Sequence, residues 1–462
     1  MNILIINTFD SIGGAARAAQ RLLKGLNQIG VNAAMLVREK KKTDENVVQI
    51  KPMMDDNAEN ELAILDSINQ KYIKDNRTDL SNTLFSLGYP GFHIAKTEIV
   101  KQADIINLHW VARFQSTESI SSILDLEKPV IWTLHDQNPL TGGCHYSAGC
   151  NLFKDNCENC PQLSNDPFKL PYYNLQNKIH LLRNKKITLV TPSQWLADLS
   201  RQSRVFYSSA VLTIPNSLDT DIFSPQNKSE TKRKLGLPGN LITLLLGTSG
   251  WRESRKGFSR LISSLEYCLA NKKFKNLIKR GNMQLLCFGA PAAELKDLGI
   301  PFKSFGHVDS DQKLSDIYSA SDIFLSPSLE DNLPNMIMES MACGTPPIAF
   351  NIGGIPDMVI DNVSGCLIPF CNTKKFSEGI LDLVSNPKKR IAWGEKSREI
   401  VENNYKLAHQ AQNYKELFSR LLLKDCVPGG GFNLQKSQYC NVDLSFNKNL
   451  APLYWKYANA NS

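Results

Sequence analysis

The chain of 462 residues carries 53 lysines and arginines against 45 aspartates and glutamates, which gives a formal net charge of +8. A hydrophobic content of 42% with 21% charged residues excludes a disordered or fibrous protein, and the length predicts two folded domains. No apolar run approaches the roughly 18 to 20 residues that span a bilayer, and no nucleic-acid-binding motif accompanies the positive charge. We therefore expect neither a transmembrane helix nor a nucleic-acid partner.

The first predicted strand is the apolar run from Ile3 to Ile6. No basic region precedes this run, as one would in a signal peptide, so we expect a cytoplasmic protein. Gly13 and Gly14 follow in the loop before a predicted helix. Residues this small let the phosphates of a ligand approach the backbone amides at a helix N-terminus. The two glycines are candidate ligand-binding residues, although glycines in such a loop commonly serve only a turn.

Two later predicted strands, residues 103–108 and 129–134, each lead directly into a histidine. His109 follows the first of these strands and His135 follows the second. Since the carboxyl ends of parallel strands meet at one edge of a sheet, we expect both imidazoles at the edge where such sheets bind ligands. A single histidine is usually structural, but two histidines at equivalent strand ends favour a functional site.

A cysteine-rich segment, residues 142–163, comes next. It contains four cysteines in the spacing C-x5-C-x6-C-x2-C, namely Cys144, Cys150, Cys157 and Cys160. Four thiols in this spacing can surround one tetrahedral zinc ion in a segment with little apolar core of its own. Disulfides, which a cytoplasmic protein normally keeps reduced, and free, partly buried thiols are the alternatives. The sequence leaves the three open, with a structural zinc ion as the first expectation.

The second half of the chain opens with a predicted strand at residues 241–246 and a basic loop after it. The loop contains Arg252 and Arg255, and Lys256 stands directly before Gly257. Arginine forms forked hydrogen bonds to phosphate oxygens, and lysine acts as a compact positive charge. The loop is therefore a candidate diphosphate site, although an exposed basic loop would have the same composition.

Residues 321–369 combine an apolar run, a polar loop, a helical pattern and a second apolar run. The runs at 323–325 and 347–350 predict buried strands. Strand, helix and strand in this order form a right-handed parallel crossover, which binds ligands outside the carboxyl ends of its strands. Three acidic residues of this stretch are therefore expected to face a ligand. They are Glu330, Asp331 and Glu339.

These motifs resemble the retaining glycosyltransferases of family 4, which use nucleotide-sugar donors. Glu339 and the small residues 340–344 (SMACG) are similar to the second glutamate of that family and the run after it. Residues 133–136 (TLHD) reproduce its Thr-x-His-Asp motif, and Lys256 with Gly257 fits its phosphate loop. The resemblance covers roughly residues 1–424.

The resemblance implies roles for the candidate catalytic residues. His135 would lie near the transferred sugar, with His109 as the second choice. Lys256 and one arginine, either Arg252 or Arg255, would neutralise the departing diphosphate. No cofactor would be required for catalysis, so that any zinc ion at the cysteines would be structural.

The resemblance also implies a donor-binding set. Glu339 would hold the ribose of the nucleotide, and either Glu330 or Asp331 would hold hydroxyl groups of the sugar. Val308 lies in a segment similar to the one beside the nucleotide base. The full candidate set is Gly13, Gly14, Val308, Glu330, Asp331, Asn335 and Glu339.

The fold implied by the resemblance is α/β, namely the GT-B fold of two Rossmann-like, doubly wound domains that face a central cleft. We predict an N-terminal, acceptor-side domain over residues 1–214, with the cysteine-rich insertion inside it. A nucleotide-sugar-binding domain is predicted over residues 215–424, with a final helix that returns to the first domain. Residues 425–462 match no pattern, have no predicted role and are expected to be partly disordered.

The sequence thus predicts a glycosyltransferase that moves a sugar from a nucleotide-diphosphate sugar to a hydroxyl group of a glycan, expected to be lipid-linked. The cysteine-rich segment after His135 resembles the family's exopolysaccharide and colanic-acid-type subset, which implies a role in bacterial exopolysaccharide or lipopolysaccharide assembly. Basic clusters at residues 38–42 and 183–186 favour peripheral contact with the inner face of the membrane. The alternatives are a synthase with a soluble sugar acceptor and a non-catalytic binding protein of the same fold.

Overall fold

The structure is a computed structural model that describes residues 1–247, 250–289, 294–422, 431–434 and 438–443. Its strands are β1 (Asn2–Phe9), β2 (Asn32–Glu39), β3 (Val47–Pro52), β4 (Gly91–His93), β5 (Ile105–Leu108), β6 (Val130–Thr133), β7 (Thr188–Thr191), β8 (Ala210–Thr213), β9 (Ile242–Gly247), β10 (Met283–Phe288), β11 (Phe302–Ser304), β12 (Ile323–Ser326), β13 (Pro347–Phe350), β14 (Cys366–Ile368) and β15 (Gln438–Asp443). Its helices are α1 (Gly13–Gln28), α2 (Asp56–Asp75), α3 (Glu98–Gln102), α4 (Thr117–Leu124), α5 (Leu170–Leu182), α6 (Gln194–Arg201), α7 (Lys228–Lys234), α8 (Phe258–Leu269), α9 (Lys272–Lys279), α10 (Glu294–Asp297), α11 (Asp311–Ser319), α12 (Asn335–Ala342), α13 (Thr373–Ser385), α14 (Pro387–Asn404) and α15 (Leu407–Leu422).

The chain divides into two compact units. The first unit consists of residues 1–214 together with the described residues from Gln410 onward, and the second unit consists of Pro215–His409. Each unit contains one large sheet with helices between most successive strands, which is the alternation expected of Rossmann-like folds.

The sheet of the first unit has the strand order β4-β15-β3-β2-β1-β5-β6-β7-β8. Its strands pair in parallel, except that β15 and β4 are antiparallel. Residues Ile3 to Ile6 of β1 are fully buried because both faces of this central strand are covered. Because β5 and β6 are parallel neighbours, their carboxyl ends lie at the same edge of the sheet.

The sheet of the second unit is parallel throughout, in the order β11-β10-β9-β12-β13-β14. The predicted strand, helix and strand of residues 321–369 are confirmed as β12, α12 and β13. Helix α12 begins at Asn335 after Pro334, and Gly344, just beyond its end, has a φ of +70°. Only glycine adopts this left-handed conformation without steric cost, which explains why the helix ends there.

The last part of the chain contains a strand that the sequence did not predict. Strand β15 lies inside the first sheet, where it pairs with β3 and β4. The side chain of Gln438 also accepts a hydrogen bond from the backbone N–H of Ile99 at 3.2 Å. Residues 425–430, 435–437 and 444–462 of this predicted tail lie outside the described residues.

Among the residues that the structure describes, no helix combines the length and the apolar character needed to cross a membrane.

Candidate functional site

The basic loop and the acidic loop of the second unit come together. The basic loop follows β9 and the acidic loop follows β12, and these two strands are neighbours in the sheet. Lys256 Nζ lies 2.8 Å from Asp331 Oδ2, and Arg255 Nη1 lies 3.4 Å from the same oxygen. The three side chains are only 10–16% exposed. The structure therefore forms a compact charged cluster at the carboxyl edge of the sheet.

Gly257 allows the close approach of these loops. Its φ of +65° is left-handed, and an added Cβ atom would collide with the backbone oxygen of Pro327, which follows β12. The backbone oxygen of Arg255 also accepts a hydrogen bond from Leu329 N–H at 2.6 Å. A residue larger than glycine would push the basic loop away from the acidic loop.

The cluster shifts the pKa values of its members. Burial alone would raise the pKa of Asp331, but the positive charges of Lys256 and Arg255 lower it below its ordinary value. Burial lowers the pKa of Lys256, although Asp331 opposes this effect. Arg255 Nε additionally pairs with Glu253 Oε2 at 3.0 Å. The two cations are thus matched by carboxylates, with which an incoming phosphate would compete.

The alternatives that the sequence left open have different surroundings in the structure. Arg255 belongs to the cluster, whereas the side chain of Arg252 is exposed to solvent. Asp331 is buried and makes the ion pairs, whereas Glu330 is partly exposed and contributes its backbone oxygen, which lies 3.4 Å from Arg255 Nη1.

The remaining candidates of the second unit lie on or near α12 and β10. Glu339 is 2% exposed and accepts a hydrogen bond from the hydroxyl group of Tyr318 at 3.1 Å. Asn335 is the first residue of α12. Val308 is buried in the hydrophobic core together with Phe288. Val308 therefore contributes to the packing of this core.

In the first unit, Gly13 and Gly14 open helix α1. Gly13 has a φ of +85°, and an added Cβ atom would meet nothing within 4 Å. Ile12 precedes the helix and provides no side-chain hydrogen bond to its first turn. The helix therefore starts with small residues after an N-cap residue that offers no side-chain acceptor, and the role of the two glycines in ligand binding stays a prediction.

His109 and His135 meet at the carboxyl edge of the first sheet, as the sequence predicted. His109 Nδ1 lies 2.9 Å from His135 Nε2, so one ring donates a hydrogen bond to the other. Burial lowers the pKa of His135 to about 4 and the pKa of His109 well below its ordinary value. Both imidazoles are therefore neutral at physiological pH. Among the described residues, His109 Nε2 has no hydrogen-bond partner.

Asp136 lies at the centre of a second network beside this pair. Its Oδ2 accepts hydrogen bonds from Trp110 Nε1 at 2.8 Å and from His145 Nδ1 at 2.6 Å, and its Oδ1 accepts one from Asn138 N–H at 2.9 Å. Burial would raise the pKa of Asp136, but His145 and these hydrogen bonds lower it. His145 Nε2 contacts Ser86 Oγ at 2.9 Å, so both ring nitrogens are used.

The sequence did not identify His145 as part of this site. The residue comes from the cysteine-rich segment, directly after Cys144, and no spacing rule relates it to Asp136. The only signal in the sequence was the position of this histidine, inside the cysteine-rich segment and nine residues after Asp136.

The four cysteines of this segment surround one cavity, which Phe85 and Phe153 also line. All four are free thiols. Burial raises the pKa of Cys144, that of Cys157 to about 12 and that of Cys160 to about 11. As the side chains stand, no group of three or more His, Cys, Asp or Glu residues in the described part of the chain forms a ready metal site.

Comparison with known proteins gives a family match over part of the chain. Residues 228–400 match the family model described as "Glycosyl transferases group 1". A D-inositol 3-phosphate glycosyltransferase from Corynebacterium aurimucosum is 27% identical over 228 residues, which is 46% of this chain and 52% of that protein. The chain thus spans about half the length of the curated relatives it matches.

Solved structures resemble a larger part of the chain. A sucrose-phosphate synthase from Thermosynechococcus elongatus has a TM-score of 0.63 at 16% identity, covering 92% of this chain and 100% of that one. Anabaena HepE in complex with UDP and glucose has a TM-score of 0.58 at 14% identity, covering 91% and 99%. At these identities the likeness shows the fold alone, and it confirms the predicted α/β fold with two Rossmann-like domains. The chain therefore has the GT-B fold, and its residues 228–400 are similar to the group 1 glycosyltransferases.

Proposed function

We propose that the protein is a retaining glycosyltransferase that moves a sugar from a nucleotide-diphosphate sugar to a hydroxyl group of an acceptor. The observation that carries this proposal is the cluster of Lys256, Arg255 and Asp331 at the carboxyl edge of the second sheet. It lies within the segment that matches the group 1 glycosyltransferases.

The chemistry of this cluster suits a departing diphosphate. Negative charge develops on the diphosphate as the bond to the sugar breaks, and fixed positive charges stabilise it best in a site that is partly shielded from water. In the donor complex, we propose that Lys256 Nζ and the Arg255 guanidinium turn from Asp331 to the phosphate oxygens. Asp331 would then be available to accept hydrogen bonds from the hydroxyl groups of the sugar.

Glu339 supports a nucleotide site in the same unit. Its carboxylate is almost fully buried, and its Oε2 accepts a hydrogen bond from the Tyr318 hydroxyl group. A carboxylate has two oxygens that can accept several hydrogen bonds. We propose that Glu339 accepts hydrogen bonds from the ribose hydroxyl groups and that Tyr318 fixes its orientation.

The acceptor is proposed to be a glycan, lipid-linked and used in polysaccharide assembly at the inner face of the membrane. The basic clusters offer limited support, because Lys40 Nζ is already bonded to the backbone oxygens of Asp44 and Val47. Lys186 of the second cluster is exposed. Co-sedimentation with anionic vesicles at low and high salt tests this part separately, since surface attraction falls with ionic strength.

A soluble acceptor is the second candidate. The relatives named for inositol phosphate and the fold neighbour named for sucrose phosphate favour it, since those names refer to soluble sugar or cyclitol acceptors. An acceptor screen that includes free sugars, sugar phosphates and inositol phosphate separates the two candidates.

The donor class is tested by thermal shift with UDP, GDP and ADP. The matching nucleotide at 100 times its Kd stabilises the folded protein by about 2.7 kcal/mol. UDP is the first choice because the similar HepE structure contains it. Donor hydrolysis with the corresponding nucleotide sugars then reports turnover. A protein that binds no nucleotide and hydrolyses no nucleotide sugar would contradict the proposal and favour a non-catalytic binding protein.

A further inference from the structure

The cysteine-rich segment is held in a largely irregular conformation. In the part of the chain described, it contains a short 3-10 turn at Leu152–Lys154 and isolated β-bridges at Cys144 and Leu163. Three non-glycine residues adopt positive φ values, namely Ala148 at 51°, Cys157 at 55° and Asn159 at 55°. Such conformations persist only where surrounding structure fixes them. Tyr146, Phe153 and Leu163 of the segment are buried, so a metal ion would add to this apolar packing.

The thiols of this segment converge. All four cysteines line the same cavity, and each thiol is close enough to the other three for their charges to interact. Pairs in separate disulfides would not need this mutual closeness of all four. Four cysteine ligands around one point are the tetrahedral set that zinc prefers, and this set leaves no open position.

Hydrogen-bond donors already point at the sulfurs. The backbone N–H of Leu152 donates to Cys150 Sγ at 3.4 Å, and the backbones of Gly142 and Gln162 lie close enough to Cys157 and Cys160 to oppose the rise in pKa that burial causes. These donors favour sulfur that carries negative charge. They are the surroundings that a metal-bound thiolate needs and that a neutral thiol does not.

Positive side chains also surround the cavity. Arg77 lies within electrostatic range of Cys144 and Cys160, and the buried Lys178 lies within range of Cys144 and Cys157. One zinc ion with four thiolates carries two net negative charges. An arginine and a lysine at this distance balance that charge.

We propose that Cys144, Cys150, Cys157 and Cys160 bind one structural zinc ion as thiolates. The sulfurs as placed do not form a ready metal site, but a change of χ1 rotamer moves each sulfur without moving the backbone. Binding releases the four thiol protons to solvent and forms four zinc–sulfur bonds with no change of oxidation state. The zinc ion fastens the segment that brings His145 to Asp136, so it supports the carboxyl edge of the first sheet.

The test is elemental analysis of the full chain, purified without a histidine tag and without added metal. We expect about one zinc ion per chain, with X-ray absorption showing four sulfur ligands at roughly 2.3 Å. Less than about 0.2 zinc per chain, or zinc held by nitrogen and oxygen ligands, would overturn the proposal. Disulfides found by alkylation before and after reduction would overturn it as well.

Two variants and a matched control locate the metal. Cys157→Ser and Cys160→Ser should lower the zinc content at least about fivefold. Cys268→Ser, which changes a buried free cysteine of the second unit, should leave it unchanged. If the first two variants fail to fold, the wild-type metal content and absorption spectrum decide alone. Zinc binding does not depend on the proposed transfer reaction, so nucleotide binding by the second unit should survive chelation of the metal.

Discussion

His145 Nδ1 and Asp136 Oδ2 lie 2.6 Å apart, and both side chains are buried. Asp136 lies in the loop after β6, and His145 belongs to the cysteine-rich segment. The pair therefore fixes an irregular segment to the sheet edge that also carries His135.

Replacing His145 by alanine should destabilise the first unit. Asp136 would keep Trp110 and Asn138 as donors but lose its closest partner, which is expected to cost about 2–3 kcal/mol. Thermal unfolding measures this loss. His180→Ala, which changes an exposed histidine of α5, is the control and should leave the midpoint unchanged. Equal midpoints for His145→Ala and wild type would show that the pair has no stabilising role.

Lys256→Ala should remove most of the transfer activity while the protein stays folded. The departing diphosphate would lose a fixed positive charge. This loss is expected to raise the activation free energy by about 2–4 kcal/mol, which lowers kcat/KM roughly 30- to 1000-fold. Lys279→Ala removes an exposed lysine of the same unit and should retain wild-type kinetics. Unchanged kcat/KM in the Lys256 variant would exclude this residue from the site.

Glu339→Gln should weaken binding of the nucleoside diphosphate, because an amide has fewer acceptor positions than a carboxylate. Tyr318→Phe keeps the ring in the core and removes only the hydroxyl group that contacts Glu339, so we expect a smaller loss of affinity. Calorimetry compares the three proteins. Equal affinities throughout would assign Glu339 to packing instead of ribose binding.

Acid should destabilise the first unit through its buried histidines. His135 has a pKa of about 4 in the folded protein against an ordinary value of 6.5, so the unfolded chain binds more protons between these values. The contribution of His135 to the free energy of unfolding is therefore complete above pH 6.5. It falls by about 2 kcal/mol as the pH is lowered towards 4, a figure that allows for the partial exposure of this side chain.

Thermal midpoints between pH 7 and pH 5 test this expectation. His135→Asn should show a smaller loss of stability over that interval than the wild type, whereas His180→Asn should follow the wild type. Identical pH dependence of His135→Asn and wild type would mean that this histidine titrates normally in the folded protein.

The sequence predicted those features that depend on local pattern. The strand, helix and strand around α12 follow from apolar runs and turn residues, and the meeting of His109 and His135 follows from the shared edge of parallel strands. The pairing of Arg255 with Asp331 did not follow, because it depends on how the loop turns at Gly257. The contact of His145 with Asp136 and the position of β15 also could not be predicted, because long-range pairing leaves no periodic signal in a short polar segment.

The position of strand β15 determines when the first unit can finish folding during synthesis. Gln438 pairs with β3 and bonds to Ile99, which is 339 positions earlier in the chain, and the entire second unit is made between them. At a synthesis rate of about 5–20 residues per second, tens of seconds pass between the synthesis of β3 and β4 and the synthesis of β15, which lies between them in the sheet. During that interval the nascent first unit exposes unpaired strand edges, which are sites of aggregation and of chaperone binding. The first unit to begin synthesis is therefore the last to be completed.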